Sequence, residues 1–283
     1  MKYALIFISF YIVSISTNAI VIRHDVADTN YIAKATDFPA LATFYVDGAH
    51  GTLIAPNWVI TAAHATFCVA PNSSVMINGR ARSIKQLYVH ADYTPGKSHD
   101  IALVELSEPV LDIKPVSIFT ASNELNKNIW FIGIGGTGNG LMGETTDNAE
   151  NNGVLRKAQN TVIMAEGPLL GFVFNQGEDA LPLEGVSGGG DSGGPAYLES
   201  NNSLQLLGIS SRPEGVFSAI GVYGISEMYS RVSFFQTWIS QIMAADPLTQ
   251  QKLATHKLKN LPAGLNEDIL PQVCKSIRVK TNI

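Results

Sequence analysis

Short apolar runs, each cut off by glycine, proline or a polar turn, limit what this chain can fold into more than any other feature. TLIAPNWVI, SVMI, IALVEL, NIWFIGI and LQLLGIS are of strand length, and 25 glycines and 13 prolines punctuate the 283 residues around them. That rhythm predicts a mostly β protein built from many short strands. With 46% hydrophobic and 15% charged residues the chain reads as folded, and it is too long for one small domain. The formal charge of -5 comes without any cluster of Lys or Arg, which argues against a nucleic-acid partner, because phosphate binding needs a concentrated basic face.

At the start, Lys2 precedes the apolar run YALIFISFYIVSI and then STNA, the three-part pattern of a secretory signal peptide ending at Ala19. The run is short for a bilayer span. Its removal would take away one lysine and no acid, moving the charge from -5 to -6 and exposing Ile20 as a new terminus. The expected product is an exported, acidic, monomeric protein that does not stay at the membrane. Export permits a bridge between the two cysteines, Cys68 and Cys274, but their distance in sequence leaves the pairing open.

The stretch GGGDSGGPA, Gly188 to Ala196, holds one serine among five glycines. A serine hydroxyl attacks a carbonyl only with a base to take its proton and donors to hold the resulting oxyanion. Glycines allow backbone N-H groups to turn into a cleft, so Gly190 and Ser192 are candidates for an oxyanion hole. Upstream, WVITAAH ends in His64, and HDIALVEL sets Asp100 at the head of an apolar run. Two other motifs compete. Gly190, Ser192 and Gly194 also fit the nucleophile elbow G-x-S-x-G, but no α/β alternation surrounds them and only His256 follows. Gly133, Gly135 and Gly138 fit G-x-G-x-x-G, but NGLMGETTDNAENNG after them is not helical, so no helix terminus is there to bind a phosphate.

In wording and order, GTLIAPNWVITAAH, DIAL and GDSGGP resemble the chymotrypsin/trypsin-like serine protease family, in the form of a secreted, bacterial-type trypsin-like protease. The resemblance covers roughly residues 20–245, with NIWFIGIGGTG similar to a family strand and VSFFQTWISQIMAA similar to its C-terminal helix. It implies an all-β fold of two packed six-stranded antiparallel Greek-key barrels with a C-terminal helix. The expected organisation is a signal peptide over 1–19, a first barrel over 20–120, a second barrel with the helix over 121–245, and an extension over 246–283 packed on the catalytic domain. It further implies Ser192 as nucleophile, His64 as general base and then acid, and Asp100 as the group orienting His64.

The resemblance also gives Asp191 a partner, the amine of a freshly cut terminus. Here signal cleavage itself would supply it at Ile20, although Ile22 and Arg23 stand where the family has flexible glycines. Six residues before the serine, Val186 is expected to floor the substrate pocket, with Ser211, Arg212 and Pro213 as its wall and Ser211 also touching Asp100. Glu227 lines the pocket in one alignment, which would favour basic side chains; a second alignment, through GVYG, sends it to the surface. The expected partners are peptide or protein substrates, with no cofactor. No metal site is expected either, since the six histidines show no ligand spacing. A competing reading is an inert, protease-like binding protein, favoured only by the altered Arg212-Pro213 wall.

Overall fold

The computed structural model describes residues 20–150, 153–200, 203–214, 219–262 and 264–277. The expected signal peptide lies outside the described residues. Strand β1 (Ile20–Ile22) comes first, followed by β2 (Leu41–Tyr45), β3 (Gly48–Ala55), β4 (Trp58–Thr61), β5 (Ser74–Ile77), β6 (Arg80–Val89) and β7 (Ala102–Leu106). The strands β2 to β7 close into a barrel in the order β2-β3-β4-β7-β6-β5, with β2 meeting β5 through Ala42 and Ile77. The turn from β5 to β6 is Asn78-Gly79 at φ 49 and 71, the left-handed pair a tight hairpin demands. Every residue of β4 and β7 is buried, as expected for WVIT and ALVEL running through the barrel wall.

The second half contributes β8 (Ser117–Ile118), β9 (Asn128–Gly133), β10 (Thr137–Asn139), β11 (Gly143–Thr146), β12 (Arg156–Thr161), β13 (Met164–Glu166), β14 (Leu169–Val173), β15 (Gly185–Val186), β16 (Pro195–Ser200), β17 (Ser203–Glu214) and β18 (Ser226–Arg231). Six of these repeat the strand order of the first barrel, as β12-β9-β16-β17-β18-β14, but β12 does not pair with β14. The cause is local: β13 hairpins back onto β14 from Met164 to Glu166 and occupies the edge that β12 would need. A smaller sheet, β11-β10-β1-β15, carries Ile20 to Ile22 between β10 and β15, the latter leading into the GDSGGP turn.

Helix α1 (Gln236–Ala244) leaves the second barrel and packs on the first, where Phe235, Ile239 and Ile242 join the core of Leu53, Val59, Leu103 and Val104. The extension follows the same surface. Helix α2 (Pro247–Leu253) is capped by Asp246, whose side chain accepts from Leu248 and Thr249 N-H. Beyond it, Thr255 N-H donates to Leu87 O at 2.7 Å and Leu258 is buried. Helix α3 (Leu270–Ile277) ends beside β2, with Val46 N-H on Ile277 O at 2.9 Å, and Cys274 is bonded to Cys68. The cysteines therefore pair, pinning the extension to the segment just after His64. Among the described residues no helix is long and apolar enough to cross a membrane.

Candidate active site

His64 opens a short 3-10 turn directly after β4, where the buried alanines Ala62 and Ala63 leave room for the chain to bend. Asp100 precedes β7, and Ser192 lies in the glycine turn between β15 and β16. Three segments distant in sequence thus converge between the barrels, two from the first and one from the second. His64 Nδ1 is 2.7 Å from Asp100 Oδ2, and its Nε2 is 2.7 Å from Ser192 Oγ. Asp100 also accepts from the His64 backbone N-H at 2.9 Å and from Ser211 Oγ at 2.6 Å. Burial alone would lower the basicity of His64 and raise the pKa of Asp100. The charges and hydrogen bonds they exchange outweigh it, so His64 is raised and Asp100 lowered.

The turn bearing Ser192 is held by the opposite barrel, with Ala49 N-H on Gly190 O and His50 N-H on Ser192 O, each at 2.7 Å. Gly190 has φ 87, and a Cβ there would lie 2.7 Å from the Asn148 side chain, so both conformation and space require glycine. Neither the Gly190 nor the Ser192 N-H is spent on a hydrogen bond among the described residues. Two donors are left beside the serine hydroxyl, the arrangement an oxyanion needs.

Asp191 is buried and accepts from Gly135 N-H at 2.7 Å and Gly188 N-H at 2.9 Å. Burial nevertheless pushes its pKa up to about 7. In the intact chain the Ile20 nitrogen belongs to a peptide bond, and these two backbone N-H groups serve as donors to Asp191. A group the sequence did not single out lies against it: the His50 ring, fully buried, with Nε2 3.7 Å from Asp191 Oδ1. His50 Nε2 accepts the Ile134 N-H at 3.1 Å, and Nδ1 lies 3.2 Å from Thr43 Oγ1. Glu144, likewise unforeseen, accepts the Gly189 N-H at 2.6 Å. Neither residue sits in a recognisable local motif.

Beside Ser192 a cavity of about 110 Å³ is lined by Ser187, Gly188, Ser211, Arg212, Pro213 and Glu227, among others. One expectation is corrected here, and the two alignments of Glu227 are told apart. Val186 does not floor this cavity; its side chain packs into a cluster with Val21, Phe174 and Ile225 while its backbone pairs with Val21. Glu227 is not at the surface; it is buried on β18, opposite Pro213. Burial first, and then the like charge of Asp191, push the Glu227 pKa up to about 8. Arg212 reaches to 3.8 Å from Glu214, while its Nη1 is buried without a hydrogen-bond partner among the described residues.

Comparison with known proteins agrees with this geometry. The family model described as Trypsin matches residues 30–239. The chain is 30% identical over 213 residues to the serine protease SP24D of Anopheles gambiae, an alignment covering 68% of this chain and 71% of that protein. The likeness thus extends to an insect protease, beyond bacterial forms. Matched over most of its length, its strands in the order of two like barrels and its histidine, aspartate and serine in contact, the chain belongs to the trypsin family of serine proteases.

Proposed function

We propose that this protein is an exported serine endopeptidase. The observation that carries the reading is the unbroken line from Asp100 through His64 to Ser192, with both contacts at 2.7 Å. In the reaction Ser192 Oγ bonds to the substrate carbonyl carbon as its proton passes to His64 Nε2, and the N-H groups of Gly190 and Ser192 receive the oxyanion. His64 then gives that proton to the departing amine, leaving an acyl-enzyme. Water, deprotonated by the same ring, releases the acid and restores the serine. Asp100 keeps the ring oriented and stabilises its charged form.

Glu227 in the cavity supports a preference for Arg or Lys side chains. The cation would hold the carboxylate ionised in a site where burial otherwise favours the proton. Export supports the activation route: cleavage before Ile20 frees an amine on β1. Ile20 pairs with Thr137, two residues past Gly135, and Val21 pairs with Val186, two residues before Gly188. The new charge arises on a strand whose two neighbours lead to both donors of Asp191.

A fluorophosphonate probe applied to the processed protein beside a Ser192→Ala control, with a peptide library, tests the reading. Labelling and cleavage restricted to the unaltered protein are expected. Glu227→Gln should reduce cleavage after Arg and Lys on the order of a hundredfold while sparing labelling. A folded protein with Ile20 at its terminus that takes no label would instead be the inert binder to which the Arg212-Pro213 wall points.

A further inference from the structure

Folding assembles a donor cluster that no spacing in the sequence announces. His90 follows β6, Asp92 lies two residues on, and His99 immediately precedes Asp100. One donor atom from each residue lies within 4.8 Å of the others. We propose that His90, Asp92 and His99 form a zinc site that clamps the loop leading into Asp100.

The donors suit the ion. Two imidazoles and one carboxylate, with a water in the fourth position, are a common tetrahedral zinc set, whereas calcium and magnesium prefer oxygen alone. Bonds of about 2.0–2.2 Å require donors roughly 3.3 Å apart, so the donors must close by up to about 1.5 Å on binding. The rings are already held. His90 packs against Phe235 and Trp238 at centroid distances of 5.3 and 5.1 Å, and His99 against Phe235 at 5.5 Å. The two imidazoles lie next to each other, tilted at 40° with their centroids 4.8 Å apart. His90 Nδ1 is turned toward Asp92, whose backbone N-H it accepts at 3.2 Å. His99 Nδ1 can donate to Ser98 Oγ at 2.9 Å, which frees its Nε2.

Of the three donors, His90 also lines a cavity. It measures about 210 Å³ and borders Tyr93, Thr255 and Lys257, and the charge of Lys257 is offset by Glu267 at 2.7 Å. Metal bound here would join both ends of the 91–98 loop, which His90 N-H on Ile101 O and Ile101 N-H on His99 O already draw together. His99, held at φ 55, sets the backbone from which Asp100 reaches His64. Given the protease reading, zinc occupancy then alters turnover through the position of Asp100, although binding itself does not depend on that reading.

The test is calorimetric titration of the intact protein with Zn²⁺, with metal content measured after dialysis, for the unaltered chain and for His99→Asn, Asp92→Asn, His64→Ala and His256→Gln. One ion per chain is expected in the unaltered, His64→Ala and His256→Gln proteins. Affinity should fall about tenfold to a hundredfold or more when His99 or Asp92 is replaced. Asp92 is exposed, so its variant is safe from misfolding and serves if His99→Asn is unstable. Absence of stoichiometric binding, binding unaffected by Asp92→Asn, or loss of the ion in His64→Ala would each overturn the proposal, the last by placing the metal at the triad.

Discussion

Two histidine-carboxylate pairs flank the backbone of Ser192, and they are driven to opposite states of charge. In the outer pair, His64 and Asp100 touch at 2.7 Å, and the carboxylate also takes the Ser211 hydroxyl. His64 is raised and Asp100 lowered, so each stabilises the charged form of the other. In the inner pair, His50 and Asp191 are 3.7 Å apart and fully enclosed. Burial lowers His50 to about 4 and raises Asp191 to about 7. Wiring explains the contrast. His64 points its proton-bearing Nδ1 at its carboxylate, but His50 uses Nε2 to accept the Ile134 N-H and so has no proton there to share. Residue type alone does not make an ion pair; desolvation and the placement of one proton decide.

The largest break in this comparison should come from Asp100→Asn, which keeps the shape but removes the charge. Turnover is expected to fall about 10⁴-fold with little loss of stability, read by steady-state kinetics beside thermal unfolding. Next comes His50→Leu, which removes the buried ring nitrogen that accepts the Ile134 N-H. Urea denaturation should report a loss of about 1–3 kcal/mol, most of it recovered in His50→Gln, which restores an acceptor. Ser211→Ala removes one donor from Asp100 and should lower kcat by about tenfold, leaving KM nearly unchanged. Smallest is Thr43→Val at the far side of His50, costing about 1 kcal/mol in unfolding free energy and nothing in turnover.

The pH dependence sharpens the contrast further. His50 is depressed on folding, so the stability it contributes is complete above its unfolded value near 6.5 and is lost as pH falls toward about 4. Asp191 is raised, so the proton it holds stabilises the fold most below about 4, and that gain disappears as pH climbs to about 7. The two oppose each other across the same window. Asp191→Asn in the intact chain should therefore unmask the His50 dependence, and its unfolding free energy should rise more steeply between pH 4 and 6.5 than that of the unaltered protein. An unchanged slope would mean that Asp191 is ionised throughout.

The outer pair was legible because its residues sit in short local words, WVITAAH, DIAL and GDSGGP, in which chemistry and chain geometry coincide. The inner pair was not, since His50 and Asp191 meet only through the packing of one barrel on the other. The pocket was misread by a single position. Val186 and Ser187 are neighbours in extended chain, where successive side chains face opposite ways, so one enters the core and the other lines the cavity. The short apolar runs announced a β protein and the two barrels came from the resemblance to the family, while the open seam of the second depends on β13, too short to stand out. His90, Asp92 and His99 lack a motif because a loop, rather than a helix turn, brings them together.

The bridge from Cys68 to Cys274 spans 206 positions and encloses β5 to β7 of the first barrel and all of the second. A protease is exposed to its own kind, and cuts in surface loops such as 147–150 or 176–180 fall inside that span. Each single nick would leave two pieces that stay covalently joined as well as packed, with His64 on the segment anchored by Cys68. Self-digestion would then show as fragments only after reduction, and a nicked population could continue to work long after its chains had been cut.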